Sequence, residues 1–141
     1  MTRLAVACAA LVALLVGHAL DHTFRQEESV PDTLGLLGLA GTAAVLVVLA
    51  LALARKATAG PAATLFGGIT AIGFAAAHLA PEWSSALSFS YPERGLDVLS
   101  WASVLATMLA AIWVAAEGRR DRQAFAQDRN LRSLGLLKES G

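Results

Sequence analysis

LAVACAALVALLVGHAL, residues 4–20, contains no Asp, Glu, Lys or Arg. A helix needs a run of ~17–25 mostly apolar residues to cross the hydrocarbon core of a bilayer. Lipid offers the backbone no hydrogen-bond partner, so an isolated run of this kind is stable there only as a helix. Three further stretches read the same way: Leu34 to Ala54, Pro61 to Ala80, and Val98 to Ala116 after Asp97. The expected fold class is all-α, a four-helix transmembrane bundle of two up-down hairpins. Its spans are about 4–20, 34–54, 61–80 and 97–117. Residues 1–117 would form the membrane domain and 118–141 a polar tail.

Composition points the same way. The chain is 56% hydrophobic and 16% charged, with a mean hydropathy of +0.59. A soluble domain carries about 25% charged residues, and here the charges fall in a few short stretches. Cys8 is the only cysteine, so no intrachain disulfide or thiolate cluster can form. Inside the first run it reads as a small packing residue. No nucleic-acid partner is expected. Nine arginines against two lysines suggest a GC-rich bacterial genome.

Charge placement sets an expected orientation through the positive-inside rule. Arg3, Arg55, Lys56 and the basic residues of the tail fall on one side, which has net charge +5. Arg25 and Arg94 fall on the other with Asp21, Glu27, Glu28, Asp32, Glu82, Glu93 and Asp97, a net −5. Both termini are therefore expected to be cytoplasmic, in a multi-pass protein of the cell (cytoplasmic) membrane. A competing reading takes Met1 to Ala19 as a cleaved signal peptide with Gly17-His18-Ala19 as its small-x-small site. The thin basic region and the histidine at the middle position weigh against it.

The local punctuation fits the four spans. Pro31-Asp32-Thr33 supplies a turn and a helix start, and Gly60-Pro61 places proline in a first helical turn. Trp83, Trp101 and Trp113 fall near span ends, as interfacial anchors do. Small residues recur at Ala5, Ala9, Ala13 and Gly17, at Ala102, Ala106 and Ala110, and at Gly35, Gly38 and Gly41. Such stripes permit close helix approach in lipid, within the bundle, in self-association or against another membrane protein. In the tail, Phe125, Leu131, Leu134 and Leu137 suggest one face of a short surface helix beside the bilayer. Cytoplasmic docking of a partner is the sharper alternative for that helix.

Polar residues interrupt the apolar runs at two places. His18 and His22 lie one helical turn apart on one face, with Asp21 about 60° from His18 at 100° per residue. His78 ends the third run and Glu82 follows it; Gly67, Ala71 and Phe74 fall within about 40° of His78, which aims it into the bundle. His18 and His78 are 60 residues apart, so two like-oriented hairpins would set them at equal depth. An ionisable group facing the interior of a membrane bundle is a functional candidate.

Three chemistries follow. His18, His22 and His78, with Asp21 or Glu82, would bind a divalent transition metal, since imidazole and carboxylate suit Zn²⁺ or Cu²⁺. Alternatively His18 and His78 would be the axial ligands of a haem, non-covalent (haem b) because no c-type attachment motif exists. In the third, a His–carboxylate pair would do acid–base work on a lipid or quinone head group at the outer leaflet. No catalytic residue can be assigned to that last reading. Beside these stands a purely structural, partner-binding subunit, in which the histidines only satisfy helix ends. The expected role is an accessory or binding subunit with an outward-facing His/carboxylate cluster.

Overall fold

Thr2 opens the first helix: its hydroxyl accepts a hydrogen bond from the Ala5 amide at 3.2 Å, satisfying one of the orphan donors of a helix start. From there the computed structural model describes residues 1–26 and 29–134. Its elements are α1 (Arg3–Phe24), α2 (Asp32–Leu53), α3 (Ala59–Phe74) with a π-helical turn (Ala75–Leu79), the short α4 (Tyr91–Arg94) and α5 (Val98–Ser133). The described chain is helical with no strands, and four of its helices are long and apolar enough to cross a membrane.

Helix α5 packs on α3 and α1, and α2 packs on α1 and α3. Thr2, Leu4 and Ala59 line one small cavity, while His18 and His22 meet His78 far along both helices. Helices α1 and α3 therefore run in the same direction. Helix α5 runs against both, since Gly60 lies opposite Gly118 and Gly67 opposite Ala111 and Ala115. The core is built from Leu4, Cys8, Leu11 and Leu15 of α1, Val45 and Val48 of α2, Ala63 of α3, and Ala111 and Val114 of α5. A second cluster of Phe89, Tyr91 and Val104 sits under the 80–97 loop.

The close approach expected of small residues occurs at three glycines outside the Gly35, Gly38 and Gly41 stripe. A Cβ placed at Gly67 would lie 2.7 Å from the Ala111 carbonyl oxygen and 2.8 Å from the Ala115 amide nitrogen. Gly60 and Gly118 are equally tight against one another's helices. Backbone contact between α3 and α5 thus depends on these three glycines. Gly35, Gly38 and Gly41 face open space instead, and so does Gly17. The buried side of α1 is Leu4, Ala5, Ala7, Cys8, Leu11, Leu15, His18 and Asp21, a 3.6-residue face of small and larger side chains.

Two further departures have local causes. The tail helix is not separate: α5 runs unbroken for 36 residues, a length of about 54 Å at ~1.5 Å per residue. Gly118 is the only weak helix former near the expected boundary, and its packing on Gly60 and Ala63 holds it helical. Phe125, Leu131 and Leu134 therefore lie on the continuation of a span; Leu137, Lys138, Glu27 and Glu28 lie outside the described residues. At the end of α2, Arg55 adopts φ 50°, with the Lys56 amide donating to Leu51 O at 3.0 Å and the Arg55 amide to Ala52 O at 3.2 Å. This is a Schellman cap, which favours glycine at the left-handed position. Arg55→Gly is expected to stabilise the fold by about 0.5–1 kcal/mol, the left-handed cost relieved less the added chain entropy. A raised thermal midpoint in detergent checks it; a lowered one means that Arg55 makes a compensating contact.

Candidate metal centre

The third helix ends in a widened turn. The Ala80 amide donates to Ala75 O, an i→i+5 bond of 3.1 Å, and π-helical turns inside α-helices occur frequently at functional sites. The widening leaves carbonyls of the last turn to be satisfied from outside. The Trp83 indole N–H donates to Ala76 O at 2.7 Å, and the Phe89 amide donates to Ala77 O at 2.7 Å. The 80–90 segment is thereby folded back against the helix end. Arg94 holds it further, with its guanidinium 4.2 Å above the Phe89 ring and 3.3 Å from Glu82.

This arrangement orients His78. Its Nδ1 donates to the Phe89 carbonyl at 3.4 Å, so the imidazole carries its proton on Nδ1 and presents a bare Nε2. On α1, His18 shares a hydrogen bond of 3.0 Å between Nδ1 and the Ser103 hydroxyl of α5. His18 Nε2 and His22 Nε2 share a hydrogen bond of 3.1 Å. The three rings form one cluster, with centroids 4.5 Å (18–22), 5.0 Å (18–78) and 5.6 Å (22–78) apart. Phe74 packs on His18 and His78, and Phe89 packs on His22. His18 and His78 are 6% and 4% exposed and His22 is half-buried.

Each of these histidines offers a ring nitrogen within 4.8 Å of those of the others, a group that could hold a metal ion. Nitrogens bound at ~2.0–2.1 Å around a tetrahedral ion are about 3.4 Å apart. The His18–His22 pair has about that spacing, and separations within 4.8 Å close to it by at most ~1.4 Å. Backbone and hydroxyl partners on the second ring nitrogen are the usual orienting groups of metal-bound imidazoles, and His78 and His18 have them.

Asp21 and Glu82 are placed differently. Asp21 is buried, paired with Arg25 at 3.1 Å, and accepts from Gln26 Nε2 at 3.0 Å. Glu82 pairs with Arg94 in the exposed loop. Neither belongs to the group of converging ligand atoms. Asp97 caps α5, accepting from the Leu99 and Ser100 amides at 3.1 and 2.9 Å, and binds Arg25 at 2.5 Å. The Ser100 amide, then Arg25, hold its carboxyl below the usual carboxylate range.

Tyr91, Gln26, Ser103 and the Phe89 carbonyl also belong to the site, and the sequence pattern did not single them out. Tyr91 Oη lies 3.4 Å from His22 Nε2 and accepts from Gln26 Nε2 at 3.1 Å. Its ring packs on His78 and Trp101. The side chain is fully buried, and burial pushes its hydroxyl up to about 12, against the pull of Gln26. Folding thus favours the neutral phenol. The stabilisation is complete below the unfolded value of about 10 and is lost as pH rises toward the folded value. Tyr91 is the single tyrosine of the chain, so ultraviolet titration reads it alone. We expect a midpoint near 12, with thermal stability declining above about pH 10; a midpoint at the free-tyrosine value would put the hydroxyl in water.

Beside the cluster, an apolar groove of about 510 Å³ runs between α1 and α5. Ala13, Gly17, Ala102 and Ala106 line it, with His18, Asp21 and Arg25 toward one end. Comparison with protein families, with curated proteins and with solved structures finds no match.

Proposed function

We propose that this chain is a multi-pass protein of a bacterial cytoplasmic membrane that binds one divalent transition metal ion, zinc or copper, through His18, His22 and His78. The observation that carries the reading is the convergence of three imidazoles from two helices, two of them buried and held by partners on their second nitrogen. Burying three polar rings side by side is costly unless their nitrogens are satisfied. His22 and Gln26, one turn apart on the chain, interact through their side chains, although neither His22 Nδ1 nor Gln26 Oε1 makes a close hydrogen bond among the described residues. A metal on His22 Nε2 makes Nδ1 an N–H donor, and Gln26 Oε1 is the kind of acceptor it then requires.

Under the positive-inside rule the basic ends of α1, α2 and α5 lie in the cytoplasm, which puts the histidines near the outer surface. The role that fits is an accessory or binding subunit, with the open glycine face of α2 available to a second membrane protein or a second copy. Haem fits less well. His18 and His78 touch edge to face with Phe74 against both, and a rigid macrocycle would have to replace those contacts. The groove favours one further reading, in which an acyl or isoprenoid chain lies between α1 and α5 with its head near His18 and Asp21.

The test is metal analysis of detergent-purified protein after equilibration with zinc or, separately, with copper and removal of the free ion. One ion per chain is expected with at least one of the two, with nitrogen-rich ligation by X-ray absorption. Less than a tenth of an equivalent of both would sink the metal reading, and a co-purifying lipid or quinone in its place would favour the groove.

A further inference from the structure

Tetrahedral closure requires a fourth donor, and the geometry points to one. We propose that Tyr91 is the fourth metal ligand, binding through Oη and making the centre a three-imidazole, one-phenolate site. The inference rests on the metal reading above and specifies its ligand set.

Three distances and one structural relation carry it. His18 Nε2 and His22 Nε2 are 3.1 Å apart, and Tyr91 Oη is 3.4 Å from the same His22 Nε2. Ligand atoms bound to one tetrahedral ion at ~2.0–2.1 Å are separated by about 3.4 Å, so Tyr91 Oη already stands from His22 Nε2 as a fellow ligand would. Gln26 Nε2 donates to Tyr91 Oη at 3.1 Å, a bond that strengthens when the oxygen bears negative charge. Tyr91 opens α4 two residues after Phe89, whose carbonyl orients His78, so one short segment positions two ligands.

The charge balance agrees. Three neutral imidazoles leave a divalent ion with its full charge in a water-poor site, which is costly. A phenolate ligand lowers the net charge of the centre by one. The carboxylates nearest in sequence are committed elsewhere, Asp21 to Arg25 and Gln26 and Glu82 to Arg94. On binding, the metal–oxygen bond forms as the phenol O–H bond breaks, and the proton is released to solvent.

Because Tyr91 is the single tyrosine, its absorption reports on ligation directly. Zinc titration of the purified protein is expected to convert the tyrosine spectrum to that of a phenolate, in proportion to bound metal and saturating at one equivalent. Tyr91→Phe, which keeps the packed ring, is expected to weaken zinc affinity by more than about a hundredfold, beyond the ten- to hundredfold range for loss of a group that only orients a ligand. Zinc binding at one equivalent with an unchanged tyrosine spectrum overturns the proposal and leaves the three-histidine site standing. Absence of zinc and of copper binding in the unsubstituted protein overturns both.

Discussion

Purified with His78→Ala, the protein is expected to keep its helices and lose more than about a hundredfold in zinc affinity. Removing an outer group that merely orients a ligand costs ten- to a hundredfold, and removing a ligand costs more. His78 is the only contribution of the third helix to the cluster. Without it, His18 and His22 remain as an i, i+4 pair on α1, a spacing that holds a metal weakly by itself. A second variant separates ligation from packing. His78→Asn retains a side-chain donor for the Phe89 carbonyl yet lacks the imidazole, and its affinity should fall as far as that of the alanine variant. Calorimetric titration of the two variants decides the point. A loss below tenfold in both would remove His78 from the centre and reduce the site to the pair on α1.

The second large effect concerns neighbouring glycines. Gly67→Ala is expected to destabilise the fold by about 1–3 kcal/mol or more, the usual cost of overpacking. Gly68→Ala should be neutral or stabilise by up to about 1 kcal/mol through helix propensity. The difference lies in what the new methyl meets. At position 67 it would be 2.7 Å from a backbone carbonyl of α5 and 2.8 Å from a backbone amide, atoms that move only if the helices separate. At position 68 nothing lies within 4 Å. Unfolding midpoints of the two variants in one detergent provide the measurement, and equal midpoints would refute the close α3–α5 contact. His78 sits at the end of the helix that carries Gly67, so zinc affinity of Gly67→Ala should fall with stability.

The helical fold was legible because its signal is local. Each span is a run of side chains that water rejects, long enough to reach across a bilayer, and neither property depends on what packs nearby. The pairing of His18 and His22 was equally local, since one helical turn sets it. The choice of helix contacts was not. Gly35, Gly38 and Gly41 and the Gly60, Gly67 and Gly118 set look alike as sequence, yet only the second set meets another backbone. A small residue permits close approach without specifying the partner. The end of α5 escaped for a related reason: the apolar run stops at Glu117, and hydropathy does not show that the helix continues beyond it, with Gly118 packed on α3.

For the site, the chain alone supplied the three imidazoles and the expectation that His78 turns inward. It also offered Asp21 and Glu82 as ligands, because nearness in sequence was the only measure of nearness available. Tertiary structure gives each carboxylate a guanidinium partner. It brought Tyr91 and the Phe89 carbonyl to the histidines through a loop that returns to a π-helical turn. Hydropathy determined that the chain forms four membrane-length helices, since burial in lipid is a property of each segment by itself. Ring convergence, the orienting partners and the close α3–α5 contact depend on distances between segments far apart in the chain, which only packing sets.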